Sequence, residues 1–196
     1  MDVIECLEQT APRFHGSDEN PRNWRLGAFG VNWMKSNLKA DWHCLETGAG
    51  YTTCVMAQYC KSVITISPLD KEHMRIKSWL VENGFSHENI KFIHDLPQKY
   101  LPFLKNIHVD LLLIDGGHAF PYPIIDWYYG SMFLKKDGYL LVDNIEINSV
   151  RILYDFLLTE SDVWALQDRD EEFSVFQKKK DFSYERVKWI DQVFNK

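Results

Sequence analysis

The sequence predicts an α/β protein: a doubly wound, mostly parallel sheet with helices on both faces. Apolar runs alternate with amphipathic stretches from about residue 43 to residue 160, and glycine or proline separates several of them. This alternation is typical of parallel strands joined by crossover helices. Two more short strand candidates follow residue 161, which brings the predicted sheet to seven strands.

The strands of the alternating region are apolar runs that end at polar or glycine residues. In chain order they are predicted at 43–46, 62–67, 90–94, 109–115 and 139–142. Helices are predicted between them at 52–60, 70–83 and 123–133, and an i, i+3, i+4, i+7 apolar stripe at 150–157 predicts one more. Gly84 ends the second helix, because glycine adopts a positive φ at little cost, and Pro123 is suited to the first turn of the third.

Two flanking tracts, 1–40 and 179–196, differ from the region 41–178. The first is predicted as a helical segment with a polar loop, and its aromatic residues could lid a site or simply pack. These residues are Phe14, His15, Trp24 and Trp33. In the second tract, apolar positions predict a final helix that docks on the domain or on a second subunit of a homodimer. They are Tyr184, Val187, Ile190 and Phe194.

The composition is that of one globular domain of 196 residues, with 45% apolar and 26% charged residues. The net charge of −6 predicts no nucleic acid partner and no attraction to an anionic membrane. No apolar run reaches the roughly 18 residues needed to span a bilayer. Four cysteines without metal-site or redox spacing, and no secretory leader, predict reduced thiols and a cytoplasmic location.

A glycine turn follows the first strand of the alternating region. Gly48 and Gly50 allow a tight turn and close approach of a ligand, and the next helix presents free N–H groups. A plain strand-to-helix turn is the alternative. Thr52 and Thr53 stand where a dinucleotide fingerprint would place its third glycine, and the lysine of a phosphate-binding loop is also missing. Glu46, two residues before Gly48, suits a ligand with a positive group such as an ammonium.

The segment LETGAGYTT at 45–53 resembles the first motif of class I S-adenosylmethionine-dependent methyltransferases. LLIDGGH at 112–118, PYPIIDWYY at 121–129 and YLLVDN at 139–144 resemble a bacterial branch of that superfamily. The resemblance covers about residues 40–160. It implies a Rossmann-like methyltransferase fold with an antiparallel last strand, S-adenosylmethionine as cofactor and a small-molecule acceptor. The cofactor contacts that it implies are Glu46, Gly48, Ala49, Gly50, Thr52, Thr53, Ser67, Asp95 and Asp115.

One position departs from that superfamily. Its second strand usually ends in an acidic residue that holds the ribose hydroxyls, whereas this strand ends at Ser67. A hydroxyl can still bind ribose, but one charge-assisted hydrogen bond is lost, and Asp70 is the substitute that the sequence offers. Asp95 falls where the superfamily forms its adenine site, with a helix cap as the alternative. The missing acid also motivates a second hypothesis, a binding protein of this fold without turnover.

Asp115, Asp143 and Asn144 directly follow the fourth and fifth strands of the region. Three oxygen ligands from adjacent strand ends suit Mg²⁺ or another divalent cation. Their order and spacing are similar to the metal site of the catechol O-methyltransferase-like enzymes. In the alternative interpretation these residues only cap or form turns.

His118 lies three residues after Asp115 and is suited to take a proton from an acceptor hydroxyl. The catechol-type pattern has a lysine near this place, so His118 would replace it; an ordinary hydrogen-bonding role is the alternative. The expected reaction is O-methylation, with His118 and Asp115 as catalytic residues. A hydrolase built on the same residues would lack a G-x-S-x-G nucleophile turn.

Overall fold

A seven-stranded mixed sheet forms the centre of the protein, in a computed structural model that describes residues 1–188, 190 and 192–196. A short hairpin, β1 (His15–Gly16) with β2 (Pro21–Arg22), precedes it. The main strands are β3 (His43–Thr47), β4 (Ser62–Ser67), β5 (Ile90–His94), β6 (Val109–Ile114), β7 (Leu134–Asp143), β8 (Trp164–Arg169) and β9 (Phe173–Lys178).

The strand order is β5-β4-β3-β6-β7-β9-β8. The first five strands in this order are parallel, and β9 is antiparallel to both of its neighbours. The predicted doubly wound sheet with an antiparallel last strand is confirmed. From β3 the chain adds β4 and β5 on one side and then returns to place β6 on the other. Ligands of such sheets bind where the order reverses, beyond the carboxyl ends of the strands.

Helices cover both faces of the sheet. They are α1 (Val3–Thr10), α2 (Ala28–Asn37), α3 (Tyr51–Tyr59), α4 (Asp70–Glu82), α5 (Pro97–Tyr100), α6 (Tyr122–Gly130) and α7 (Asn148–Thr159). Because successive strand residues point to opposite faces, β6 feeds two cores. Leu111 and Leu113 join the core under α1 to α4, and Leu112 and Ile114 join the core under α6 and α7. Burial on both sides explains why residues 111–114 of β6 are all apolar.

The C-terminal tail departs from the predicted helix. Its described residues form short 3₁₀ turns at Tyr184–Arg186 and Val193–Asn195. The tail is held by separate aromatic contacts: the Tyr184 hydroxyl accepts a hydrogen bond from Trp164 Nε1 at 3.1 Å. The Phe194 ring lies 5.2 Å from that of Phe156 on α7. Separate aromatic contacts of this kind do not require a continuous amphipathic helix. The apolar spacing of the tail therefore did not by itself indicate a helix.

Two general predictions can be compared with the folded chain. All four cysteines are free and buried. Among the described residues, no helix has both the length and the apolar character needed to cross a membrane.

Candidate functional site

A cavity of about 800 Å³ lies beyond the carboxyl ends of the parallel strands. Its wall is built from the residues that follow five strands, together with the N-terminal segment. The main contributions are 48–52 after β3, 66–69 and Glu72 after β4, 96–98 after β5, 115–118 after β6, and 143–144 after β7. This is the edge at which an open α/β sheet binds its ligands.

The glycine turn after β3 forms one side of the cavity. Gly48 has φ +103°, and a Cβ there would lie 2.2 Å from the Asp115 carbonyl oxygen, so only glycine fits. At Gly50 a Cβ would lie 2.9 Å from His15 Nε2, so a side chain at that position would displace the His15 ring. Ala49 and Thr52 also line the cavity. The turn therefore presents a backbone surface with few side chains.

Glu46 does not face the cavity, which corrects the prediction that it contacts the cofactor. It is 0% exposed, and its carboxylate accepts hydrogen bonds from three hydroxyls: those of Thr52, of Thr53 at 2.5 Å and of Thr65 at 2.9 Å. Burial raises the pKa of Glu46 to about 7, although the three hydroxyl donors oppose that rise. Thr53 likewise lies behind the turn, where its Oγ1 accepts a hydrogen bond from the Gly50 N–H at 2.9 Å. Both residues hold the turn in place.

Ser67 lines the cavity, its contact with the ribose stays a prediction, and an acidic residue lies beside it. The Ser67 hydroxyl is 3.3 Å from Glu72 Oε2, and Glu72, in the first turn of α4, is 6% exposed and part of the wall. Asp70, the substitute considered from the sequence, is exposed and outside the wall formed by the described residues. Glu72 was missed, and its only sequence signal was a second acid in the first turn of that helix.

Asp95 also lies outside the cavity wall of the described residues. Its carboxylate accepts a hydrogen bond from the Leu96 N–H at 2.8 Å, but the N-cap of α5 is Leu96 itself and no side chain caps that helix, so the capping alternative is not confirmed either. The next three residues, 96–98, line the cavity instead. Gln98 Nε2 donates to Asp126 Oδ1 at 2.6 Å, and burial raises the pKa of Asp126 to about 7. The loop after β5 therefore reaches the cavity through residues that the sequence did not single out.

The predicted residues after β6 and β7 do come together. Asp115, His118, Asp143 and Asn144 all line the cavity. The carboxyl groups of Asp115 and Asp143 interact electrostatically across the cavity wall. Burial and the neighbouring carboxylates raise the pKa of Asp115 well above its usual value, and burial raises the pKa of Asp143 to about 6.

His118 is placed to accept a proton. Its Nε2 lies 4.0 Å from Asp115 Oδ1, is buried, and has no hydrogen-bond partner among the described residues. Burial lowers the pKa of His118, although the nearby charge of Glu146 opposes this. The imidazole is therefore neutral at neutral pH, with a nitrogen free to bind a proton.

The predicted metal ligands meet one condition for a metal site, since they line one cavity. In the part of the chain that the structure describes, no group of three or more His, Cys, Asp or Glu side chains is arranged to hold a metal. The Asn144 side chain donates to Glu146 Oε1 at 3.3 Å. A divalent cation at Asp115, Asp143 and Asn144 therefore stays a prediction.

The N-terminal segment forms the outer wall of the cavity. His15, Trp24 and Arg25 line it, and the Trp24 ring stacks on the His15 ring with centroids 5.3 Å apart. The other two aromatic residues considered for a lid, Phe14 and Trp33, are buried in the core instead. The two interpretations of this segment, lid and packing, thus apply to different residues within it.

Comparison with known proteins identifies the family. The model of a family described as a methyltransferase domain matches residues 45–145, from β3 to just beyond β7. The chain belongs to this methyltransferase domain family. The match covers the glycine turn and the loops after the next four strands, which together build most of the cavity wall. No curated protein matches the sequence.

Solved structures share the fold of this methyltransferase domain at low sequence identity. The O-methyltransferase TomG from Streptomyces achromogenes, solved with SAM, has a TM-score of 0.66 at 15% identity, covering 88% of this chain and 89% of its own. The N-methyltransferase NodS from Bradyrhizobium japonicum, solved with S-adenosylhomocysteine, gives 0.57 at 14% identity, covering 92% and 100%. An rRNA methylase from Streptococcus thermophilus gives 0.61 at 12% identity, covering 81% and 99%. These names span three kinds of acceptor, so the acceptor must be argued from the site itself.

Proposed function

We propose that this methyltransferase domain transfers a methyl group from S-adenosylmethionine to an oxygen of a small molecule. The observation that supports the proposal most is the composition of one cavity. It combines the side-chain-poor turn at 48–52 with the carboxyl pair of Asp115 and Asp143 and the unpartnered nitrogen of His118. Its volume of about 800 Å³ has room for a nucleoside and a small acceptor together.

The wall of the cavity fits a positively charged nucleoside. Gly48 and Ala49 leave space close to the backbone, and the carboxyl groups of Glu72 and Asp143 supply negative charge. Opposite charges attract strongly in a partly buried site. S-adenosylmethionine, when bound, supplies a methyl group on a positively charged sulfur, which an acceptor oxygen can attack.

His118 is the base that this reaction needs. The acceptor hydroxyl loses its proton as the oxygen–methyl bond forms and the sulfur–methyl bond breaks. His118 Nε2 accepts that proton, and the nearby charge of Glu146, which favours the protonated ring, stabilises the charged imidazole. The loops after β6 and β7 follow adjacent parallel strands. They therefore hold the base and the carboxyl pair in a fixed relation to the acceptor, which favours an in-line displacement.

Metal assistance is a separate part of the proposal. Asp115, Asp143 and Asn144 would hold the cation, and a bound Mg²⁺ or similar ion would lower the pKa of the acceptor hydroxyl and orient it. Exhaustive chelation tests this part: we expect loss of methyl transfer, restored by Mg²⁺. Full activity after chelation would remove the metal from the proposal and leave His118 as the base.

Two features support a small acceptor rather than a nucleic acid. The net charge of −6 gives no general attraction to phosphates. The reacting groups line a cavity whose outer wall is closed by the N-terminal segment. The proposed acceptor is therefore a hydroxylated small molecule that enters beside His118. A homodimer stays a prediction.

Cofactor binding is tested by calorimetric titration with S-adenosylmethionine and S-adenosylhomocysteine. We expect saturable binding to the wild type and at least tenfold weaker binding to Ala49→Leu, because that side chain would project into the cavity. Ala165→Leu, on β8 and away from the cavity, makes the same change and should bind like the wild type. If the wild type gives no saturable heat, the proposed function is wrong.

The acceptor atom is tested by screening hydroxylated and amine-containing small molecules for formation of S-adenosylhomocysteine. Turnover with hydroxylated compounds, and a methyl ether as product, would support O-methylation. Turnover confined to amines would overturn it. Binding of the cofactor with no turnover for any acceptor would favour the alternative of a binding protein.

A further inference from the structure

The carboxylate of Glu72 stands on the cavity wall where β4 passes into α4. One oxygen, Oε1, lies 3.0 Å from His15 Nδ1, and the other, Oε2, lies 3.3 Å from the Ser67 hydroxyl. The Glu72 side chain is 8% exposed, and all three residues line the cavity. Each carboxylate oxygen can accept more than one hydrogen bond. Both oxygens of Glu72 therefore retain the capacity to accept a hydroxyl from a ligand.

His15 is held over this carboxylate by a clamp from the same helix. The Arg75 guanidinium on α4 donates to the backbone carbonyls of Phe14 at 3.0 Å, His15 at 3.3 Å and Gly16 at 2.8 Å. The same guanidinium pairs with the carboxylate of Asp18 in the loop between β1 and β2. Four contacts from one side chain fix the backbone around His15 relative to Glu72.

The His15 ring lies between the Glu72 carboxylate and the glycine turn after β3. Its Nδ1 faces Glu72, and its Nε2 lies over the glycine turn, where a Cβ on Gly50 would come within 2.9 Å. Trp24 stacks on the ring, and the Trp24 side chain is largely exposed on its outer side. The hairpin segment therefore places a stacked histidine ring against the Glu72 carboxylate. This contact orients the carboxylate in the absence of a ligand.

We infer that Glu72 accepts the hydrogen bonds of the ribose hydroxyls of the bound nucleoside, with His15 as the positioning residue that fixes the Glu72 carboxylate. The inference rests on the proposed function. From the first turn of α4, Glu72 would bind the ribose hydroxyls in place of an acidic residue at position 67, at the end of β4. A carboxylate suits the task because its two oxygens match two adjacent hydroxyl donors, and charge-assisted hydrogen bonds are the strong ones.

The test compares S-adenosylhomocysteine with its 2′-deoxyribose counterpart in calorimetric titrations. In the wild type we expect the ribose compound to bind about ten- to hundredfold more tightly, the effect of a hydrogen bond to a charged group. In Glu72→Gln we expect weaker binding of the ribose compound and a ratio between the two compounds reduced to about two- or threefold. Asp70→Asn removes a neighbouring acid outside the cavity wall of the described residues and should keep the wild-type ratio.

His15→Phe tests the positioning role, because it keeps an aromatic ring for Trp24 but removes the contact with Glu72. We expect a ratio between those of the wild type and Glu72→Gln, whereas loss of packing alone would weaken both compounds equally and leave the ratio unchanged. A wild-type ratio in Glu72→Gln, with its fold confirmed by circular dichroism, would overturn the inference while leaving the proposed function standing. No binding of either compound to the wild type would overturn both.

Discussion

Two groups of carboxyls, one fully buried and one partly exposed, lie at the ends of neighbouring strands of one sheet and differ in their hydrogen bonding. Behind the turn after β3, the Glu46 carboxylate accepts three hydroxyl donors and is fully enclosed. After β6 and β7, Asp115 and Asp143 have each other as neighbours, and His118 beside them has a buried nitrogen with no partner among the described residues. The first group faces away from the cavity and the second lines it.

The difference separates residues that hold the structure from residues that are available for chemistry. A buried polar group with satisfied hydrogen bonds stabilises one local geometry. Buried groups that are crowded by like charges or lack a partner cost stability, and proteins keep them mainly at functional sites. On this basis Glu46 holds the turn in place, although the motif around it predicts a ligand contact, and the groups after β6 and β7 stay the predicted reacting groups.

The largest effect is expected at His118. His118→Ala should lower kcat by about 10²–10⁴-fold, the usual contribution of a general base, with little change in unfolding free energy. Only the neutral imidazole accepts a proton, and burial lowers the pKa of His118. The wild-type rate should therefore fall only when the pH drops below the ordinary histidine value of 6.5, and the variant should lack this acidic limb. The measurement is a pH–rate profile with an acceptor from the screen.

The control for that experiment is His108→Ala, an exposed histidine outside the cavity wall of the described residues, which should behave as the wild type. Equal activity of His118→Ala and the wild type, or an unchanged acidic limb in the variant, would show that His118 is not the base.

The next effect is on stability and distinguishes the two carboxyl groups directly. Glu46→Ala should lower the unfolding free energy by about 2–4 kcal/mol, because it removes the acceptor of the buried Thr52 and Thr53 hydroxyls and creates a cavity, whereas Thr65 keeps the Gly48 carbonyl as acceptor. The same substitution at Asp143 should cost about 1 kcal/mol or less, because it also relieves the crowding of Asp115. Urea denaturation at neutral pH measures both. Equal losses in the two variants would contradict the distinction.

The smallest effect is the pH dependence that Glu46 gives to stability. Its pKa is about 7 in the folded protein and 4.5 without burial, so between these values the folded state binds more protons than the unfolded state. Unfolding free energy should therefore fall as the pH rises from about 4.5 to 7, by about 1–3 kcal/mol for this group. Asp126 and Asp143 act in the same direction, and His73 and His118, whose pKa values are lowered, act against it.

Glu46→Gln isolates that contribution, because the other groups titrate in both proteins and their effects cancel in the difference. Denaturation curves at pH 5 and pH 8 should show the variant gaining stability relative to the wild type at the higher pH. A difference between the two proteins that does not change with pH would mean that Glu46 ionises at its ordinary pKa.

The predicted sheet, and the meeting of Asp115, His118, Asp143 and Asn144, follow from local patterns in the sequence. Apolar runs and helical stripes define the elements, and parallel strands end at the same edge. Residues that directly follow neighbouring strands are therefore close together without further information. The glycine turn was also predictable, although the reason for Gly50, the ring of His15, was not.

By itself, then, the sequence determined the sheet, its ligand edge and the residues that follow its strands, because these depend on short-range periodicity. Only the tertiary structure decided which way each polar side chain faces. Glu46 turns towards three threonines, Asp95 binds the N–H of the next residue outside the cavity wall of the described residues, and Glu72 lies on that wall and contacts His15 from 57 positions earlier in the chain. Such contacts depend on how distant segments pack, and no local pattern of residues encodes that packing.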